Sequence, residues 1–152
     1  MKEIFPVAPA SNSALLFLIP LGLIIAAGLV LLIMTATSIG RGSVEVSPDS
    51  IRINAPIYGR TIPFTSIMSD QARVIDTAKD ADLRPKWRTN GIGLPGYAAG
   101  WFKLQNGEKS LVLLTDRRRV LYIPTREGYS VLVSVTEPEK LLQSIKKYGS
   151  GT

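Results

Sequence analysis

Three consecutive arginines are the side chains best suited to chemistry in this sequence. Arg117, Arg118 and Arg119 follow an aspartate between two apolar runs, and we expect them at the tip of a hairpin turn. Lys86 and Arg88 lie in a polar segment upstream and would extend the group into an anion-binding rim. Each basic residue near an anionic surface contributes on the order of 1 kcal/mol, so several would give a useful contact with lipid headgroups. The alternative is a solvated turn in which the aspartate pairs internally.

The residue types argue against most kinds of catalysis. The chain contains no cysteine and no histidine, which removes thiolate nucleophiles, imidazole bases and nearly every zinc, haem or iron–sulfur arrangement. Asp80 and Asp82 lie beside basic residues in a loop, a pattern typical of a solvated turn. Lys109 and Ser110 would point to opposite faces of a strand. We therefore expect no catalytic residue, no metal and no cofactor.

Aromatic side chains downstream are candidates for stacking on single-stranded nucleic acid. At strand spacing, however, Phe102 and Leu104 share one face of a strand, while Trp101 and Lys103 share the other. Together with Tyr97, these aromatics are expected to pack in the core and at its rim. Nucleic acid is not expected as a partner.

Residues 77–96 do not read as a regular element. A loop this long in a compact domain is usually functional or mobile, and the alternative is a crossover that folds over the edge of the sheet. Within it, Gly91-x-Gly93-x-x-Gly96 matches a dinucleotide-binding string, but that mechanism needs a helix after the glycines, and here Pro95 and then a strand follow. We expect these glycines to permit a tight turn and a close approach of backbone segments.

The charges are concentrated in the second part of the chain. Residues 1–40 contain only Lys2 and Glu3, so the remainder carries the whole net charge of +6. A basic domain favours anionic partners such as lipid headgroups, nucleic acid or an acidic protein. A charge of this size also fits simple solubility of a small domain.

The first part of the chain is organised around an uncharged apolar run. Residues 1–13 contain two prolines and are expected to be a disordered lead-in. From Ala14 through Leu21 to Met34 there is no charged residue, and at about 1.5 Å rise per residue this run matches a hydrocarbon core of roughly 30 Å. We predict a single transmembrane helix over 14–35 that anchors the protein in the lipid bilayer.

A cleaved signal peptide and a buried soluble helix are the alternatives to this anchor. The run is longer than the apolar core of about 7–15 residues in a signal peptide, although Thr35–Ser38 fits a cleavage region. A linker over 36–43 follows, so the domain is expected close to the bilayer. By the positive-inside rule, Arg41 and Arg52 against Lys2 favour a domain in the cytoplasm.

The segment from Trp87 to Val135 organises the predicted domain over 44–148. It holds four runs rich in Val, Leu, Tyr, Phe and Trp, and the break at Asn106-Gly107 is a strong hairpin signal because a type I′ turn needs positive φ at both central residues. We therefore predict an antiparallel meander. Further strands are predicted at 44–46, 51–53, 58–63 and 73–76, with one turn of helix at 63–67.

We predict a closing amphipathic helix at the end of the chain. Thr136 and Glu139 have the spacing of a capping box, and Pro138 falls in the first turn, where its missing N–H costs nothing. Apolar residues then recur on one face, and Gly149 is expected to stop the helix before a short tail over 149–152. The residues of that face are Leu141, Leu142, Ile145 and Tyr148.

Four segments of the predicted domain together form a family pattern: T-N-G-I-G-L-P-G-Y (89–97), G-W-F-K-L-Q-N-G (100–107), L-L-T-D-R-R-R-V-L-Y-I-P-T (113–125) and T-E-P-E-K-L-L (136–142). With these segments the sequence resembles the bacterial PH-domain family of small, often membrane-tethered proteins. The resemblance covers roughly residues 41–148 and implies a mainly β fold, with a partly open, antiparallel PH-like barrel, one C-terminal amphipathic helix, membrane association and no known catalysis. The phosphoinositide pattern of eukaryotic relatives is poorly matched, because the first strand pair offers only Arg52.

Together these observations predict a membrane-anchored, non-catalytic binding or adaptor protein. Its domain is expected on the cytoplasmic side of the cell membrane, in contact with a protein partner, another copy of itself or anionic lipid headgroups. The alternative function is a membrane-tethered enzyme or regulator that acts on a lipid or envelope substrate.

Overall fold

The computed structural model describes residues 13–38 and 42–150. The chain divides into two compact units, Met1–Ile39 and Gly40–Thr152. The predicted lead-in lies almost wholly outside the described residues, as do the middle of the predicted linker and the last two residues of the predicted tail.

The first unit is built around helix α1, which runs from Ser13 to Ser38 and contains Pro20. Its described side chains, those of residues 16 and 18–33, are all exposed, including Leu21. Ala14 and Met34 belong to the helix, but their side chains lie outside the described set. Among the residues that can be described, no helix is both long enough and apolar enough to cross a membrane. The predicted transmembrane helix is therefore not confirmed.

The second unit begins with a small antiparallel sheet in the order β1-β2-β3. Alternation along β2 buries Ile51 and Ile53 and leaves Arg52 in solvent, as expected for a strand with one face on the core. A 3-10 turn over Phe64–Ser66 follows the sheet and confirms the helical turn predicted there. The strands are β1 (Ser43–Val46), β2 (Ser50–Asn54) and β3 (Arg60–Pro63).

A larger sheet of six strands forms the body of the second unit, in the order β4-β8-β9-β7-β6-β5. Neighbouring strands are antiparallel except for β7 and β9, which run parallel. The strands are β4 (Arg73–Ile75), β5 (Pro85–Leu94), β6 (Tyr97–Leu104), β7 (Lys109–Leu114), β8 (Val120–Pro124) and β9 (Ser130–Val133).

The predicted meander is wrong at β9, which lies between β7 and β8. All four residues of β9 are buried, and a strand that is apolar on both faces is most stable in the middle of a sheet. The connection from β7 to β8 passes the end of β9, where Ser134 holds it. The Asp116 amide donates to Ser134 Oγ at 3.2 Å, and that hydroxyl donates to the Asp116 carbonyl at 2.6 Å.

The prediction of an irregular segment over 77–96 is also wrong in its second half, since all ten residues of β5 lie within it. β5 pairs with β6, and Gly91 lies directly opposite Gly100. A Cβ at position 91 would come within 2.9 Å of the Gly100 Cα, so the two strands approach closely only because glycine stands at 91. Gly96, with φ of 77°, makes the turn between them.

The six-stranded sheet has an apolar core on each face. One core faces the small sheet and the closing helix, and the other is covered by the segment between β4 and β5. Phe102 and Leu104 lie in the second core while Trp101 packs against the first, which confirms the predicted alternation along β6. The first core includes Ile51, Phe64, Leu121, Val131 and Ile145, and the second includes Ile75, Leu83, Val112, Val120 and Leu132.

The closing helix is confirmed as α2, Pro138–Gly149, but the predicted capping box does not form. The N-cap residue is Glu137, which makes no side-chain cap hydrogen bond. Glu139 points instead to Arg119, with Nη2 and Oε2 2.5 Å apart. The helix also continues through Gly149, where any Cβ would overlap the Ser69 side chain. Glycine at this position thus lets the helix pack closely on Ser69.

The predicted mainly β domain with a C-terminal helix is confirmed. Its described strands form two separate sheets that do not close into a barrel. The two sheets and α2 share the first apolar core, with Ile145 of α2 fully buried in it.

Candidate functional site

The arginine run lies in the connection between β7 and β8, which is held by backbone contacts. The Thr77 amide and hydroxyl both donate to the Arg117 carbonyl at 2.9 Å. The Arg118 amide donates to Asp116 Oδ1 at 3.0 Å. The connection is therefore not the predicted hairpin tip, because β9 separates the two strands that it joins.

The three arginine side chains differ in their partners. Arg119 pairs with Glu139 across 2.5 Å, although both side chains remain 56% exposed. The hydrogen bond from its own backbone amide, followed by Arg119, lowers the pKa of Glu139 below its ordinary value. Arg117 and Arg118 are exposed and have no carboxylate within ion-pair distance among the described residues. Two of the three guanidinium groups are thus available to an anion.

The arginines lie where the chain enters the second unit. Gly42, Asp116 and Arg119 line one surface depression, together with Ser134 at the end of β9. We call this end of the six-stranded sheet, at which β7 ends and β8 begins, the arginine end.

The two other predicted anion contacts, Lys86 and Arg88, lie on the exposed strand β5. Lys86 follows Pro85, which pairs with Leu104 at the end of β6 remote from the arginines. Arg88 lies further along β5, and its Nη1 is 3.6 Å from where a Cβ of Gly93 would stand. Lys86 is therefore not brought to the arginine end, whereas Arg88 extends along β5 toward it.

Between Arg88 and the arginine end, the second face of the sheet carries a depression lined in part by Gly93, Phe102 and Arg117. Arg84 also lines it, but its guanidinium is occupied by the backbone. Its Nε donates to the Thr77 carbonyl at 3.0 Å, and its Nη2 donates to the next carbonyl at 3.1 Å. Arg84 therefore stabilises the segment before β5.

Sequence reasoning missed a second group of cations, stacked on aromatic rings at the other end of the sheet. Lys109 Nζ lies 4.5 Å from the centroid of the Trp101 ring. Arg60 reaches across from the small sheet, with Cζ 5.4 Å from Trp101 and 5.3 Å from the Tyr129 ring. Trp101 and Tyr129 meet edge to face at 5.3 Å. Burial raises the pKa of Tyr129, and Arg60 opposes that shift.

Two more exposed residues, Trp87 and Lys103, belong to this group. Lys103 lies directly opposite both Trp87 and Lys109 in the register of β5, β6 and β7, so the three side chains lie on one face. Trp87 is 65% exposed. We call this set the aromatic–basic surface: Arg60, Trp87, Trp101, Lys103 and Lys109.

The aromatic–basic surface was only partly readable from the sequence. Trp101 and Lys103 share a face, as strand alternation predicts. The hairpin at Asn106-Gly107 forms, but Asn106 has no positive φ, so the turn is not of the predicted type I′, and Lys103 meets Lys109 rather than Ser110. Arg60 gave no such signal, because its position depends on how the two sheets pack.

Both basic groups can bind anions, since cations on a rigid strand or a fixed connection need little reordering. Among the residues that the structure describes, no group of three or more Asp, Glu, Cys or His side chains could hold a metal ion.

A family model described as "Bacterial PH domain" matches residues 42–148. The chain belongs to this family. The match confirms the resemblance seen in the sequence, and it covers all nine strands and nearly all of α2. No curated protein and no solved structure matches the chain.

Membership in the bacterial PH-domain family indicates a binding module rather than a particular ligand. In this PH domain the matched region contains both the arginine end and the aromatic–basic surface. Helix α1 lies outside the matched region.

Proposed function

We propose that this protein is a membrane-anchored, non-catalytic binding module whose arginine end contacts anionic lipid headgroups. The observation that carries the proposal is that Gly42 and Arg119 line the same depression, so the chain enters the domain beside three consecutive arginines. Helix α1 is the proposed anchor, and the cell membrane is the proposed location, with the domain on the cytoplasmic side.

The composition of α1 supports the anchor. The helix has 26 residues, and none of them is charged. Its described side chains, such as Leu21, Ile25 and Leu32, are apolar and exposed. Exposed apolar side chains on all sides of a helix favour a lipid environment.

Chain length then favours headgroup contact at the arginine end. Only residues 39–41 separate α1 from Gly42, and an extended residue spans at most about 3.6 Å. An anchored α1 would therefore restrict the entry point of the domain to the neighbourhood of the membrane surface. Arg117 and Arg118 would contribute on the order of 1 kcal/mol each to contact with anionic headgroups.

The proposal is tested on the full chain in lipid nanodiscs. The protein has no cysteine, so a donor dye at Ser150→Cys reports its distance from acceptor dyes on the headgroups by energy transfer. We expect higher transfer in phosphatidylglycerol than in phosphatidylcholine, and the difference should vanish in 0.5 M salt, about three times physiological ionic strength.

The double variant Arg117→Ala, Arg118→Ala should lose the difference between the two lipids. Lys103→Ala, Lys109→Ala is the matched control, since it removes two exposed cations at the opposite end of the sheet and should keep the difference. Equal transfer in both lipids for the unmodified chain would contradict headgroup contact. Turnover of lipid by the full chain would contradict the non-catalytic part and favour the alternative of a membrane-tethered enzyme.

A further inference from the structure

Strand β5 is a long, exposed edge. It is the last strand of the six-stranded sheet, it has ten residues, and none of them is buried. Within the described part of the chain, β5 pairs with β6 alone, and no other backbone hydrogen bond reaches residues 86–94. An edge of this kind presents N–H and C=O groups that can pair with another extended chain.

The charges on the edge strand and its two nearest strands are all of one sign. Strands β5, β6 and β7 together contain no aspartate and no glutamate. Their cations are Lys86, Arg88, Lys103 and Lys109. None of these four has a carboxylate within ion-pair distance among the residues described.

The lysine pair is unfavourable as it stands. Lys103 and Lys109 are directly opposite each other in the β6–β7 ladder, and like charges in that position destabilise a sheet. Glu108 does not relieve them, because it accepts a hydrogen bond from the Tyr122 hydroxyl on the other face. The two lysines lie one and two strands inside β5, so they add to the positive potential beside the edge.

The apolar side chains of β5 lie on the face of the sheet that carries Lys103, whereas Arg88 pairs with Phe102 on the other face. Trp87, Ile92 and Leu94 lie opposite Lys103, Ala99 and Tyr97, so all three point to that face. They are 65%, 36% and 47% exposed, respectively. A ligand that pairs with the edge therefore meets apolar anchors next to unpaired cations.

We propose that the outer edge of β5 accepts an extended, acidic segment of a partner protein as an additional strand of the sheet. The backbone of the segment pairs with β5. Because strand side chains alternate, its carboxylates lie on one face, beside Lys86 and Arg88, and its apolar side chains pack on Trp87 on the other face. This inference goes beyond headgroup binding, since it uses the edge strand and the aromatic–basic surface rather than Arg117 and Arg118.

Charge and backbone chemistry favour this occupant over two others. A second copy of the chain would bring Lys86 and Arg88 of both copies to one edge, and their repulsion opposes such pairing. A bilayer surface would supply anions, but it would offer no regular row of partners to the backbone of β5, whose polar groups must stay hydrogen-bonded. An acidic extended segment supplies both the negative charge and the row of backbone hydrogen-bond partners.

The test uses the full chain in phosphatidylcholine nanodiscs and a fluorescent peptide of eight alternating Glu and Val residues. Binding is followed by the anisotropy of the peptide. The same peptide with every backbone nitrogen methylated keeps its charge but cannot donate to an edge strand. We expect the unmethylated peptide to bind at least tenfold more tightly than the methylated one.

Variants then locate the site. Lys86→Glu, Arg88→Glu should weaken binding at least tenfold, and Trp87→Ala should weaken it severalfold. Lys79→Glu, Lys146→Glu makes the same charge change at exposed positions elsewhere and should leave binding unaltered. Near-ultraviolet circular dichroism checks that each variant is folded, and Lys86→Ala, Arg88→Ala replaces the charge reversal if it is not.

Equal binding of the two peptides would overturn strand addition, and unchanged binding by the variants at Lys86 and Arg88 would overturn the site. Concentration-dependent dimers without peptide, lost in Trp87→Ala, would assign the edge to a second copy instead. Binding to phosphatidylglycerol vesicles that depends on Trp87 would assign it to lipid. The Arg117→Ala, Arg118→Ala variant should bind the peptide normally, so failure here is distinguishable from failure of headgroup contact.

Discussion

At Tyr122, burial and a neighbouring carboxylate act in the same direction. The side chain is only 8% exposed, and its hydroxyl donates to Glu108 Oε2 at 3.2 Å. Burial, and then the charge of Glu108, raise the pKa of Tyr122 to about 12, although Arg73 above the ring partly opposes them. The folded domain thus holds this phenol in its neutral form.

The raised pKa predicts a loss of stability in alkali. The folded state favours the neutral phenol more strongly than the unfolded state does. Its contribution to the free energy of unfolding is therefore fully present below the unfolded pKa of about 10 and is lost as the pH rises through about 12. Thermal unfolding should show a fall in melting temperature over that range that is shallower in Tyr122→Phe than in the unmodified chain. Tyr97→Phe, at a less buried ring, is the control. Parallel curves for all three proteins would contradict the role of Tyr122.

Single residues of the site were predictable where local geometry decides their position. Trp101 and Phe102 fall on opposite faces because strand side chains alternate. The hairpin between β6 and β7 was predictable from Asn106-Gly107, but its register was not, because only Gly107 has positive φ, at 87°, and the turn is not of the predicted type I′. The stacking of Arg60 on Trp101 was not predictable, since it joins two sheets that no local pattern relates.

Among the elements, β5 is a strand that its glycines made difficult to predict from the sequence. Its glycines suggested a loop, yet Gly91 serves to bring β5 and β6 together, as a Cβ there would be closer than 2.9 Å to the Ala99 carbonyl. A glycine that is needed for close approach lowers strand propensity without preventing a strand, so the pattern misled.

We expect Gly91→Ala to destabilise the domain by about 1–3 kcal/mol, because the added methyl group would clash with backbone that cannot move aside. Gly93→Ala is the matched control on the same strand, since its Cβ would meet only side chains, at 3.6 Å or more. Urea unfolding of the two variants measures the difference. Similar losses in both would show that strand propensity, rather than close approach, dominates.

The order of the strands was also not predictable from the sequence. The runs and breaks after Lys109 indicated three strands correctly, but strands that follow one another along the chain usually pair, so the sequence predicted that β7 would pair with β8. Only the burial of β9 on both faces accounts for its central place, and that burial depends on the small sheet, α2 and the segment before β5.

For the whole molecule, fold class and family were predictable because the strand pattern and closing helix extend over most of the chain. The division of cations between the arginine end and the aromatic–basic surface was not, because it depends on the direction in which each strand runs. The sequence grouped Lys86 with the arginines, whereas the register of β5 and β6 separates them.

If α1 is the anchor, the positive-inside rule predicts that the domain lies on the cytoplasmic side of the membrane. We expect Ser150→Cys, the sole cysteine of that variant, to react with an impermeant maleimide only after cells are lysed. Reaction in intact cells would place the domain outside and would remove inner-leaflet headgroups as its ligand. A cysteine at Thr65, an exposed residue on the same domain, should give the same answer.

The central place of β9 also bears on how the molecule assembles. β9 follows both of its neighbours in sequence, so β7 and β8 are joined within one sheet only after β9 has inserted between them. In concentrated refolding solutions, the same gap in one molecule can receive β9 and α2 from another, and the hinge would be the segment at Arg126–Gly128. The product would be an intertwined, domain-swapped dimer that contains every native contact and separates only by unfolding.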